Sequence, residues 1–132
     1  MTRFPAFPGR LAVLGSPVAH SRSPAFQNAA LRAAGIPLQY EAIDVPPDEL
    51  ARVLAEFAAV RGAGNATIPH KGAMFAACHA VSERAARAGA VNTFWHDVEG
   101  LLYGDNTDIA GFDAAVSALG SAREGAVVML LG

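Results

Sequence analysis

Cysteine is almost missing from this chain: Cys78 stands alone among 132 residues. A single thiol excludes a disulfide framework and a cysteine-ligated zinc site, and no other metal-ligating pattern stands out. A reducing, cytoplasmic setting is the default. An excess of charge of one sign is lacking too. The formal net charge is −2, and the arginines are scattered rather than gathered into a stripe. That argues against nucleic acid or an anionic membrane as a partner. No apolar run approaches the length of a membrane span. The run over residues 11–14 is too short for the core of a signal peptide, and Gly15 and Pro17 break it. Internal repeats and low-complexity tracts are absent, apart from a general richness in alanine. The scarcest charged residue is lysine. There is one, Lys71, against nine arginines.

What remains is an ordinary domain. The hydrophobic fraction is 52% and the charged fraction 17%, which fits a folded chain with a generous core. At this length a domain buries roughly two-thirds of the surface that its unfolded chain exposes.

Residues 11–15 read as a short buried strand and a turn. Ser23 and Pro24 suit a helix start, with serine as N-cap and proline at the first helical position. Gly35 supplies a stop for that helix. Residues 38–45 read as a second strand. Pro46-Pro47-Asp48-Glu49 opens a helix with acids in its first turn, and Leu50, Val53, Leu54, Phe57 and Ala58 give it one apolar face. A third strand is expected over 65–68, then short helices over 73–77 and 82–88. Residues 91–95 and 101–103 form a hairpin around a turn at Asp97–Gly100. A helix follows over 107–119. This alternation predicts an α/β domain over residues 1–120, with three α-β-α layers around a mainly parallel sheet. The segment 126–131, closed by Gly132, reads as the first strand of a second, Rossmann-type domain occupying 121–132 and then cut short. An apolar strand without neighbours would need cover from its own domain or from a second copy in a homodimer.

Four polar segments carry the candidate chemistry. Gly15-Ser16-Pro17-Val18-Ala19-His20-Ser21-Arg22-Ser23-Pro24 lies at a strand-to-helix junction, where backbone N–H groups and serine hydroxyls favour a carboxylate. Its plainer reading is a helix cap and a turn, with His20 as a structural hydrogen-bonding residue. In Asn65-Ala66-Thr67-Ile68-Pro69-His70-Lys71, Asn65 and Thr67 share a strand face and could read a small hydroxylated ligand. Arginine keeps its charge at any usable pH, whereas a lysine in suitable surroundings can exchange a proton. The lone Lys71 is therefore either a proton-transfer group or a surviving surface lysine in an arginine-biased chain. His70 reads as a base or, more ordinarily, as a core or solvated residue. In Gly89-Ala90-Val91-Asn92-Thr93, Asn92 needs partners if buried, either backbone or ligand. Gly104-Asp105-Asn106-Thr107-Asp108-Ile109-Ala110-Gly111 reads as a helix start, or else brings Asp108 to Lys71 as an orienting carboxylate. It lacks the spacing of a calcium loop.

Taken together, the four segments resemble the substrate-binding domain of shikimate dehydrogenase, from about Gly15 to Gly111, in order and in spacing. Two departures stand near the pocket: Ala66 where valine is usual, and Ile109-Ala110 where the family commonly has a glycine. The resemblance implies that Ser21 and Ser23 bind a substrate carboxylate. It implies that Asn65, Thr67 and Asn92 hold ring hydroxyls or line their pocket, and that Lys71 and Asp108 are the catalytic pair. It places Glu83 on the cofactor side and Gly132 at the opening of the nucleotide domain. The implied activity is reversible reduction of 3-dehydroshikimate to shikimate with NADPH, for which this chain alone lacks most of the cofactor domain and would show no turnover. The alternatives are a quinate/shikimate dehydrogenase using NAD, and a non-catalytic binding module for a small hydroxylated carboxylate.

Overall fold

The computed structural model describes residues 7–120, 124–129 and 131. Six strands and five helices alternate along them. They are β1 (Leu11–Gly15), α1 (Ser23–Ala33), β2 (Tyr40–Asp44), α2 (Leu50–Ala59), β3 (Ala63–Ala66), α3 (Lys71–Ala77), β4 (Ala80–Val81), α4 (Glu83–Ala88), β5 (Thr93–His96), β6 (Leu102–Asp105) and α5 (Asp108–Ala118). A 3-10 turn, Pro47–Glu49, leads into α2.

The strands form one sheet in the order β2-β1-β3-β5-β6-β4. β1 pairs in parallel with β2 and β3, and β4 with β6. β5 runs antiparallel between β3 and β6. The expected α/β layering is therefore present, with an antiparallel strand set into a mainly parallel sheet. β5 and β6 form the anticipated hairpin, whose turn is braced by Asp97 accepting from the Glu99 and Leu101 amides at 2.9 Å each.

Alternation along the strands divides the core in two. On one face Ala12, Leu14, Phe94 and Leu102 meet Leu50, Val53, Leu54 and Phe57 of α2, together with Met74 and Ala85. Phe57 and Phe94 pack edge to face at 5.9 Å, a geometry that adds to plain area burial. On the other face Val13, Val18 and Tyr40 pack with Leu11 and Leu31 beneath α1. Asn28 of α1 acts as a surrogate strand there. Its amide donates to the Tyr40 carbonyl at 2.9 Å and accepts from the Tyr40 N–H at 2.8 Å.

Backbones approach closely where β1 meets β3. A methyl group at Gly64 would lie 1.9 Å from the Ala12 carbonyl oxygen, so only glycine fits there. Cys78, whose thiol burial pushes up to about 11, packs against Gly104. At that value the thiol stays protonated and unreactive near neutral pH.

The structure departs from the sequence expectation at several places. The N-cap of α1 is Arg22 rather than Ser23, with no side-chain cap, and the Ser21 hydroxyl accepts from the Ser23 N–H at 3.2 Å instead. The third strand is Ala63–Ala66, because Pro69 and the turn at Thr67 stop the ladder early. Residues 126–129 pair with no strand among the described residues and lie exposed. Gly132, at the end of the proposed second domain, lies outside the described residues.

Candidate active site

Parallel pairing brings the carboxyl ends of β1 and β3 to one edge of the sheet. Because β5 is antiparallel to both of its neighbours, its amino end and the carboxyl end of β6 arrive at the same edge. The four polar segments are thus gathered by topology. A crevice outside strand ends is where open α/β sheets hold their ligands. Here it is a cleft of ≈ 550 Å³ whose lining includes Ser21, Ser23, Asn65, Thr67, Lys71, Asn92 and Asp108. That volume suits a small ring compound.

The Lys71 ammonium donates to Asp108 Oδ2 at 2.6 Å. The other carboxylate oxygen of Asp108 accepts from Asn92 Nδ2 at 2.9 Å. Asn92 is buried and saturated. It also donates to the Thr107 hydroxyl at 2.9 Å, and its Oδ1 accepts from the Thr107 N–H at 2.9 Å and the Thr93 hydroxyl at 3.0 Å. Neighbouring Asn106 accepts from the Asp108 and Ile109 amides at 3.0 and 3.3 Å, which caps α5 and fixes the backbone beneath the carboxylate. Lys71 and Asp108 remain partly open to solvent, with side-chain exposures of 35% and 53%. The pair is accordingly worth little as a stabilising contact. What it does is hold an ammonium in one place at the mouth of a cleft.

Behind this cluster Asp105 accepts from Arg84 Nε at 2.7 Å, from the Ser82 hydroxyl and from the Asn106 amide. Arg84 first, then Ser82, hold the Asp105 carboxyl well below the usual carboxylate range. A carboxylate whose folded value is depressed stabilises the fold above its unfolded value of about 4. The contribution fades as the pH falls toward the folded value. Asp105→Asn should therefore be clearly less stable than the parent at pH 7, and the gap should narrow between about pH 4 and pH 2. Urea melts of both proteins across that range check it; a gap that stays constant with pH rules it out.

The structure brings Ser21, Ser23, Asn65, Thr67, Lys71, Asn92 and Asp108 to one cleft. It places Glu83 elsewhere, at the start of α4, in a second depression with Ser82, Arg84 and Arg87. His70 is buried, with Nε2 2.7 Å from the Val45 carbonyl, so it holds a loop and does not face the cleft. His20 is exposed on the cleft wall rather than bonded within the fold. Sequence reasoning missed Gln27, Thr107 and Tyr40. Gln27 follows Ser23 by four, one helical turn along the same face. Tyr40 carries no such signal, because only the sheet register brings it to Asn65.

These features define a class: a three-layer α/β domain that offers a small polar ligand a cleft at its strand ends, with a fixed lysine–aspartate pair at the mouth. The chain belongs to the shikimate dehydrogenase substrate-binding domain family, whose model matches residues 13–94. It is 46% identical over 104 residues to the NADP(+) shikimate dehydrogenase of Alcanivorax borkumensis, covering 78% of this chain and 37% of that protein. It is 43% identical over 125 residues to the enzyme of the same name from Cupriavidus necator, covering 93% and 42%. Among solved structures, shikimate 5-dehydrogenase from Thermus thermophilus in complex with NADP(H) and shikimate superposes with a TM-score of 0.76. The identity is 47%, over 86% of this chain and 43% of that one. The chain spans less than half the length of these relatives. No helix among the described residues is long and apolar enough to cross a membrane.

Proposed function

We propose that this chain is the substrate-binding and catalytic part of an NADP-dependent shikimate dehydrogenase acting in the cytoplasm. Residues 1–120 form that part and residues 121–132 begin a dinucleotide-binding unit. The observation that carries the reading is the placement of the Lys71–Asp108 pair on the same cleft as Ser21 and Ser23. A ring acid whose carboxylate meets the two serines extends its hydroxyls toward Asn65, Thr67 and the lysine. Lys71 then gives or takes the proton on the oxygen at the reacting ring carbon, and Asp108 holds the ammonium for that exchange.

Hydrogen-bond accounting narrows what each asparagine can offer. Both N–H donors of Asn65 are used, on the Asn92 carbonyl at 3.2 Å and the Thr93 hydroxyl at 3.1 Å, and one lone pair of its oxygen accepts from Tyr40 at 2.7 Å. Its remaining lone pair can accept from a ligand hydroxyl. Asn92 has no free donor, so it serves by fixing Asp108 and Thr107.

NADPH supplies the hydride when bound. The described residues fit only its nicotinamide end. Ile68 and Phe26 give the cleft an exposed apolar surface, but among the described residues no arginine lines the cleft to hold a pyrophosphate.

The test is steady-state oxidation of shikimate by the full-length protein with NADP+, followed by NADPH absorbance, beside quinate and NAD+ as competitors. Turnover with shikimate and NADP+ is the expected result. A preference for quinate or NAD+ replaces it with the related dehydrogenase, and shikimate binding without any turnover replaces it with a binding module.

A further inference from the structure

Tyr40 is buried, yet it contributes a single polar contact to the edge of the cleft. Its hydroxyl donates to Asn65 Oδ1 at 2.7 Å. Burial raises the phenol well above its ordinary value, so it remains a donor throughout the working range. The donor sits at the first residue of β2, two strands away from β3 in the sheet. Asn28 clamps its backbone from α1 through both the N–H and the carbonyl. The same helix carries Ser23 at its start and Gln27 beside Asn28, and both line the cleft.

We infer that Tyr40 is a positioning residue for substrate: through Asn65 it fixes an acceptor for a ligand hydroxyl, and through Asn28 it registers that acceptor against the helix that begins at Ser23. This rests on the proposed dehydrogenase reading. The physical argument is one of orientation. The Asn65 amide has three protein bonds. The Asn92 carbonyl can only accept, so it holds Nδ2, and the Tyr40 hydroxyl holds Oδ1. Together they allow one orientation of the amide, with a lone pair open to the cleft. Without the hydroxyl, Oδ1 loses its one protein donor, and the amide is held only from its Nδ2 side, by the Asn92 carbonyl and the Thr93 hydroxyl. The spacing between the carboxylate wall and the hydroxyl acceptor is then no longer set before the ligand arrives, and preorganisation of this kind is what gives affinity without new contacts.

The test is Tyr40→Phe in the full-length protein, which removes one oxygen and keeps the ring that packs beneath α1. We expect KM for shikimate to rise about fivefold to tenfold, the size that follows from losing one neutral hydrogen bond. The kcat and the KM for NADP+ should stay within about twofold, because neither the Lys71–Asp108 pair nor the rim is touched. A purely structural role would lower the thermal midpoint without this split. The second measurement is a double-mutant cycle with Asn65→Ala. If Tyr40 acts through Asn65, removing its hydroxyl in the Asn65→Ala background changes KM no further. An unchanged KM in Tyr40→Phe, or additive effects in the cycle, overturns the inference while leaving the dehydrogenase reading intact. Absence of shikimate turnover in the unmodified protein overturns both. Should Tyr40→Phe fold poorly, Asn28→Ala frees the Tyr40 backbone from α1 without altering the core. It is expected to raise KM for shikimate in the same direction, and an unchanged KM there also overturns the inference.

Discussion

Replacing Lys71 by alanine in the full-length protein should lower kcat by ~10²–10⁴-fold, the usual value of a positioned acid–base group. KM for shikimate should move little. Lys71 is one of several polar residues lining the cleft, so under the proposed reading, in which Ser21 and Ser23 take the carboxylate, most of the binding contacts survive. Stability should be nearly unchanged, because a partly exposed pair of this kind contributes about 0–1 kcal/mol. Lys71→Arg is the sharper variant. It keeps the positive charge and the Asp108 partner, but a guanidinium does not release a proton in the working range. It should therefore be almost as impaired as alanine. Steady-state rates at several pH values separate the roles. If arginine restores most of kcat, Lys71 acts as a fixed charge; if alanine itself retains most of kcat, the proton-transfer assignment is wrong.

Gly64→Ala should be the most damaging change to the fold. The added carbon would stand 1.9 Å from the Ala12 carbonyl oxygen. The obstacle is backbone at the centre of the sheet, with β1 on one side and β5 on the other. No side chain can rotate away to make room. β1 and β3 would have to separate, which breaks their ladder and shifts Asn65 beside it. Losses above about 4 kcal/mol are exceptional for one substitution and belong to strain of this sort. Such a loss would consume much of a domain's ordinary stability. The expected outcome is insoluble or unfolded protein. Gly72→Ala is the control. Gly72 lies in α3 next to Lys71 with nothing within 4 Å of an added carbon, and the change should stabilise by ~0.5–1 kcal/mol through helix propensity. Urea melts of the two variants decide the matter. Equal stability would mean that the β1–β3 contact is not tight in solution.

The elements with strong local patterns were legible from the residues. The apolar spacing of Leu50, Val53, Leu54 and Phe57 marks the buried face of α2. The Asp97–Gly100 turn marks the hairpin. The approach of Asp108 to Lys71 is one of two readings of the Gly104–Gly111 segment, and the resemblance of the four segments is what favours it. Other features depend on register and were not visible. Tyr40 reaches Asn65 only because β2 and β3 flank β1. β4 has two residues, too few to show a period. Ser23 looked like a cap because serine usually is one, but the chain before Pro24 enters the helix one residue earlier. Asn92 reads as ambiguous between backbone and ligand, whereas Asn65 reads as a ligand-facing partner of Thr67. Asn92 bonds to Thr93, Thr107 and Asp108 and still lines the cleft, and Asn65 keeps one lone pair of its oxygen unused.

The cleft straddles the antiparallel seam between β3 and β5. Ser21, Ser23, Thr67 and Lys71 come from one side of it, and Asn92 and Asp108 from the other. Neither side holds a complete site. The hairpin of β5 and β6 closes a short loop, whereas the pairing of β1 with β3 joins distant parts of the chain, which costs more entropy and forms more slowly. Ligand affinity therefore arises only when both have formed. A ligand that recognises the whole cleft acts on global unfolding instead of on local fraying, adding about 2.7 kcal/mol at a concentration one hundred times its Kd.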